Sequence, residues 1–274
     1  MPNDPDLVPR NALAGKRVAI SVSDSEDLAR LGLSSAHLEL AVAELTRAIV
    51  FAGGIVVYGG GLGWGFTTIV LDEAARYGSP DGAFEHFLPY SEHAEVAIEE
   101  VQAYSNELGV QARVLLIDAA GVARNVAQAR TLDFARYEVD GMTALSTMRT
   151  VTSELSDARV ILGGRVSDFA GEMPGIAEEA AATLTLGKPL YVCGGFGGAA
   201  TLVGQLVQPD LYAWLPGDLP AGLDAEVRAT VARTLPAQLP DDGLSPEERA
   251  LLAQSHRPSE VATLAILGLS RVGV

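Results

Sequence analysis

The sequence predicts an α/β fold: a doubly wound, mostly parallel sheet with helices on both faces and a small helical C-terminal extension. Three observations carry that expectation. Short apolar runs alternate with stretches whose apolar residues recur near 3.6-residue spacing, the pattern of strands joined by crossover helices. Glycines cluster around those runs: Gly53-Gly54 enters one, while Gly59-Gly60-Gly61, Gly163-Gly164 and Gly194-Gly195-Phe196-Gly197-Gly198 follow others. Apolar residues make up 48% of the 274-residue chain against 20% charged, enough for a sizeable core.

Each element has its own signal. Lys16 to Val22 reads as the first strand. A helix over 34–52 follows, with Leu38, Ala41, Val42, Leu45, Ile49 and Val50 on one face and Ser34 as N-cap. Ile55 to Tyr58 is a strand, 66–77 a helix, and Ala83 to Leu88 a strand ended by Pro89. Ser91 caps a helix over 92–108, and Arg113 to Ile117 is the next strand. The stretch 120–155 is helical in propensity, in two pieces broken near Asp140-Gly141. Ala158 to Leu162, a helix over 174–186, Lys188 to Cys193 and a helix over 197–208 repeat the alternation, giving six strands in all.

Residues 1–14 read as a tail and 15–208 as the sheet-bearing domain. A connector over 209–222, with Pro209, Pro216 and Pro220, leads to three short amphipathic helices at 224–233, 246–254 and 258–268. These pack on the sheet edge or on a partner.

Composition narrows the function classes. A net charge of −16 argues against long nucleic acids, which need a basic footprint, but leaves room for one small phosphorylated ligand. No apolar stretch approaches the roughly 18 residues of a membrane span. The acidic, proline-bearing start Met1-Pro2-Asn3-Asp4-Pro5-Asp6 lacks a signal-peptide pattern, so a cytoplasmic location is expected. The single cysteine, Cys193, excludes an internal disulfide and reads as a buried small hydrophobe. His37, His86, His93 and His256 lie on separate elements without ligand spacing, so no metal is expected.

Glycine turns at strand exits of an open sheet form a crevice in which backbone N–H groups can hold phosphate. Ser21 and Ser23, after the first strand, are either phosphate or ribose ligands or ordinary loop hydroxyls. Gly59-Gly60-Gly61 precedes Thr67 and Thr68, either of which can offer a hydroxyl at a helix start; the turn lacks the Gly-Lys-Ser/Thr of a P-loop. Trp64 either stacks on a base or packs that turn. Gly194 to Gly198 reads as a place of close backbone approach to a ligand, with Phe196 over a base or anchored in the core. Glu178 and Glu179 open a helix behind Pro174, where acids either complement the dipole or act on a ribose or a glycosidic water.

Arg149 on a helix, the run Ser156-Asp157-Ala158 into an apolar strand, Gly163-Gly164-Arg165, and Glu178-Glu179 opening the next helix resemble the SLOG superfamily. Its Rossmann-like members include the LOG phosphoribohydrolases, DprA, and the nucleotide-sensing domains of Thoeris effectors and TRPM channels. The resemblance covers about residues 16–208 and is best to stand-alone prokaryotic SLOG domains. It implies a nucleotide-binding domain, with Arg149 and Glu179 at the enzymes' catalytic positions and Glu178 beside them. Taken with the reading of the turns, the expected ligand contacts are Ser21, Ser23, Gly59, Gly60, Gly61, Thr67, Gly163, Gly164, Arg165, Gly194, Gly195, Phe196, Gly197 and Gly198. The enzymes' Pro-Gly-Gly-x-Gly-Thr turn is missing; an insertion separates Gly163-Gly164-Arg165 from Pro174-Gly175. This favours binding over hydrolysis. The implied role is a sensor of an ADP-ribose or cyclic ADP-ribose derivative in antiviral signalling, with no cofactor and a homo-oligomeric state. Its output would pass through self-assembly or a separate effector protein. The alternatives are an N-glycosidic hydrolase of nucleoside monophosphates and a protein scaffold with a vestigial pocket.

Overall fold

The computed structural model describes residues 8–62, 65–78, 82–130, 139–236 and 238–272. Trp64, the first seven residues and 131–138 of the helical stretch lie outside the described residues.

Among the described residues the sheet has seven strands: β1 (Arg17–Ser23), β2 (Ile55–Gly59), β3 (Phe84–Leu88), β4 (Ala112–Ile117), β5 (Ala123–Asn125), β6 (Ala158–Gly163) and β7 (Leu190–Cys193). Their order is β5-β4-β3-β2-β1-β6-β7, parallel except for β5. The chain walks outward from β1 to β5, then returns to lay β6 against the free side of β1, with Ser21 opposite Ile161 and Ser23 opposite Gly163. That reversal makes β1 and β6 the switch point, where an open parallel sheet leaves a crevice beyond its strand ends.

Helices α1 (Ser35–Phe51) and α2 (Phe66–Tyr77) cover one face. Val18, Ile20 and Val22 of β1 meet Leu38, Val42, Leu45 and Ile49 of α1 there, and each fully buried Leu or Ile contributes about 2 kcal/mol. The opposite face carries α6 (Gly141–Leu155) and α7 (Gly175–Thr185). Ala19, Val57 and Phe87 pack on Met148 and Val151 of α6. Strand alternation therefore turns Ser21 and Arg159 toward α6 and α7.

Two expected helices differ. Helix 92–108 is two pieces, α3 (Tyr90–His93) and α4 (Ile98–Leu108), and Ser91 lies inside α3 instead of capping it. His93 draws α3 onto the sheet, its Nε2 lying 2.8 Å from the Ile117 carbonyl. The stretch from 120 begins as β5, because Asp118 Oδ1 accepts from the amides of Ala120 and Val122 and turns the chain back along β4. A short helix, α5 (Val126–Ala129), follows it. The break at Asp140-Gly141 is the start of α6, where Asp140 Oδ1 accepts from the amides of Met142 and Thr143.

Beyond α8 (Gly198–Val207) come α9 (Ala225–Thr234), α10 (Pro246–Gln254) and α11 (Pro258–Arg271). They build into the main core: α11 lies on α1, and Leu252, Val261 and Ala265 share one apolar cluster with Tyr191 and Cys193. Tyr191 Oη donates to the Asp242 carbonyl at 2.8 Å. Among the described residues no helix is long and apolar enough to cross a membrane.

Candidate ligand cleft

The crevice at the switch point is a cleft of about 420 Å³. Ser21, Ser23 and Asp24 from the end of β1 and Tyr58, Gly59 and Gly60 from the end of β2 form one side. Met148 and Arg149 of α6, Arg165 and Phe169 of the loop after β6, and Gly175, Ile176 and Glu179 of α7 form the other. Of the expected residues it thus gathers Ser21, Ser23, Gly59, Gly60, Arg149, Arg165 and Glu179. Phe66 and Phe169 add aromatic faces the motifs did not single out.

The positive features converge on α7. Its N-cap is Pro174, which offers no side-chain cap, so the first-turn amides of Gly175, Ile176 and Ala177 lack intrahelical acceptors. Arg149 crosses this helix start: a Cβ on Gly175 would stand 2.5 Å from its Nη2. Arg149 Nη1 donates to Glu178 Oε2 at 2.6 Å, and Ser146 Oγ donates to the other carboxylate oxygen. Glu178 therefore ties α7 to α6, while Glu179 lines the cleft. Arg165 is exposed and, among the described residues, makes no ion pair or hydrogen bond.

Beneath Glu179 lies a residue that the motifs did not single out. Arg159 of β6 is 2% exposed. Its guanidinium reaches Ser21 Oγ (2.6 Å), Thr183 Oγ1 (2.9 Å), Ser153 Oγ (3.0 Å) and Thr152 Oγ1 (3.2 Å), with Glu179 Oε2 at 3.5 Å. Burial pushes its pKa down and the charge of Glu179 opposes that. The signal was present: an arginine in a strand covered on both faces must find partners, and hydroxyls crowd the adjoining Thr150-Val151-Thr152-Ser153. Tyr58 is held protonated above its ordinary value, first by burial and then by Glu179.

The remaining expected ligands have other neighbours. A Cβ on Gly194 would strike Tyr212 at 2.3 Å, one on Gly195 the Ser255 carbonyl oxygen at 2.2 Å, and one on Gly197 Asp27 at 2.4 Å. Gly198 has φ +65° and sits against the Gly164 carbonyl oxygen, and its amide donates to Asp27 Oδ2 at 2.7 Å. The close approach inferred for this cluster is thus to the chain itself, and Phe196 is fully buried in the core. Gly163 and Gly164 likewise lock β1, β6 and α8 together: the Gly164 amide donates to the Ser23 carbonyl, and the Ala199 amide to that of Gly164. Gly61 faces Glu92, 3.4 Å from its would-be Cβ, and Thr67 is buried under the turn.

A larger groove of about 710 Å³ runs along the outer side of α6. Among the described residues Asp140, Glu154 and Glu172 line it with threonines and no cation, which makes that lining the poorer complement of an anion. Cys193 is buried, and burial pushes its thiol pKa up, so it is no nucleophile. Among the described residues no group of three or more His, Cys, Asp or Glu is arranged to hold a metal.

The family model described as SLOG cluster2 matches residues 12–238, a span that runs from before β1 through α9. No curated protein matches the chain.

Proposed function

The chain belongs to the SLOG cluster2 family, and on that premise we propose that its cleft binds a nucleotide-derived ligand. The reading we favour is a sensor of an ADP-ribose or cyclic ADP-ribose derivative in prokaryotic antiviral signalling. One observation supports it above others: the start of α7, without a side-chain cap, and Arg165, without a partner among the described residues, open on the same cleft. A helix start and a free guanidinium are the standard complement of phosphate oxygens. Ser21, Ser23 and Asp24 would then meet sugar hydroxyls, with Phe66 or Phe169 against a base. The signal would pass on through self-assembly or a separate effector protein.

A second reading is favoured by Glu179, whose carboxylate lines the cleft and accepts no hydrogen bond among the described residues. In an N-glycosidic hydrolase it would take a proton from water as the C1′–O bond forms and the C1′–N bond breaks, the base leaving with the electron pair of that bond and taking up a proton from solvent.

Incubation of the purified protein with AMP, NAD, ADP-ribose and cyclic ADP-ribose isomers separates these readings. A sensor is stabilised without consuming the compound, by about 2.7 kcal/mol at 100 times its Kd. A hydrolase releases base, and Glu179→Gln stops it. If no compound shifts the melting temperature and none is consumed, the cleft is not a nucleotide site.

A further inference from the structure

Four hydroxyls surround the buried guanidinium of Arg159, and three of them behave alike. Thr152 Oγ1 and Ser153 Oγ each accept from Arg159 and donate to the Arg149 carbonyl, at 3.0 and 2.8 Å. Thr183 Oγ1 accepts from Nε and donates to the Glu179 carbonyl at 2.8 Å. A guanidinium has donors only, so each hydroxyl beside it must send its own proton elsewhere. Ser21 is the exception. Its Oγ accepts from Nη1 at 2.6 Å, yet among the described residues nothing accepts its proton, and Ser21 lines the cleft.

The same Nη1 lies 3.5 Å from Glu179 Oε2, an ion pair without a hydrogen bond. That carboxylate is 13% exposed and also lines the cleft. One buried cation therefore holds a donor seeking an acceptor beside an acceptor seeking a donor. Ser21 is buried, and a buried hydroxyl left in that condition carries a desolvation cost that a matching ligand relieves, while the partly exposed Glu179 carboxylate stands ready beside it.

We infer that Arg159 is a positioning residue that fixes Ser21 as donor and Glu179 as acceptor, and that together they select a ligand hydroxyl able to receive one bond and give the other. In a nucleotide such a group belongs to the ribose. The inference rests on the nucleotide reading above and adds to it a sugar specificity and the residue that imposes it. Lysine would not serve, because an ammonium on a flexible stem cannot reach this set of oxygens at once as a planar fork does.

The test is equilibrium binding of AMP and ADP-ribose, each beside its 2′-deoxy and 3′-deoxy forms. Wild type should prefer the parent compound over one deoxy form by about tenfold or more, the worth of hydrogen bonds whose loss strands buried groups. Ser21→Ala and Arg159→Lys should each reduce that preference to about threefold or less, and Ser21→Thr, which keeps the hydroxyl, should restore it. The affinity lost on removing phosphate should not change in any of them, a pattern that general loosening of the fold would not produce. Should Arg159→Lys not fold, the Ala and Thr variants at Ser21 decide alone. Binding without sugar discrimination, or discrimination that survives Ser21→Ala, overturns the inference and leaves the nucleotide reading standing. Binding of no compound at all overturns both.

Discussion

Asp27 Oδ2 accepts the main-chain N–H of Gly198 at 2.7 Å, so a buried carboxylate of the chain itself stands at the first turn of α8. Its other oxygen accepts the Ala221 amide, also at 2.7 Å. The helix start that glycines seemed to reserve for a phosphate is occupied by an internal anion with the same electrostatic role. Asp27→Ala would strand two amides and should cost about 3 kcal/mol, a fall in melting temperature of roughly 6–12 °C. Thermal unfolding with and without nucleotide checks this. The ligand-induced increment should match wild type, and a smaller increment would mean that the carboxylate serves the ligand.

Gly195→Ala should damage the fold instead of the ligand affinity. Its Cβ would meet the Ser255 carbonyl oxygen at 2.2 Å, a backbone atom that cannot swing aside, and overpacking of this kind costs about 1–3 kcal/mol. The denaturant midpoint should fall while the folded protein binds nucleotide as before. Selective loss of binding at an unchanged midpoint would return this cluster to the ligand.

These two cases show where reading the sequence succeeds and where it stops. Periodicity and glycine placement located β1, β2, β6 and β7 because strands covered on both faces must be apolar and their exits must turn. Glycine placement also led to Ser21 and Gly59, and the family resemblance to Arg149, Arg165 and Glu179; the fold gathers all five into one cleft. A glycine, however, records only that something comes close. Whether the neighbour is a phosphate or the Ser255 carbonyl depends on where α10 ends, more than fifty residues downstream. Arg159 stayed hidden for a related reason: its partners lie on β1, α6 and α7, and no local pattern joins them. The β5 edge was missed because three residues carry too little periodicity to outweigh helical propensity.

His86 predicts an acid-sensitive fold. It is fully buried, its Nδ1 2.9 Å from Tyr104 Oη and its ring stacked on Phe84. Burial pushes its pKa down to about 4, the Gly60 carbonyl opposing the shift. Between pH 6.5 and 4 the unfolded chain takes up a proton at this position that the folded one refuses, so stability must fall as pH drops through that window. The loss approaches about 3 kcal/mol from this group alone. Urea unfolding across the window, wild type against His86→Phe, measures it. The variant should keep only the slope from its acids and from His93, which burial also lowers. Parallel curves would show that His86 is protonated in the folded state.

Arg165 should matter for the ligand and not for the fold. It is exposed and without a protein partner among the described residues, so Arg165→Ala should leave the melting temperature within about 1 °C. Losing one charge-assisted contact should weaken an anionic ligand about tenfold. Calorimetric titration checks both expectations, and unchanged affinity would place the anion elsewhere in the cleft.

Gly175→Ala tests the helix start and Arg149 together. The new Cβ would stand 2.5 Å from Arg149 Nη2, the free end of a flexible side chain, so the guanidinium would move and its bond to Glu178 would break. Both partners are partly exposed, at 13% and 22%, and such a pair is worth about 1 kcal/mol or less, so the fold should survive. Affinity for an anionic ligand should fall by about tenfold, as it should in Arg149→Ala. The two losses must not add, because each removes the same guanidinium from the same place; the double variant should bind no worse than Arg149→Ala alone. Additive losses in the binding cycle would instead assign the effect to the Gly175 amide, with Arg149 a bystander.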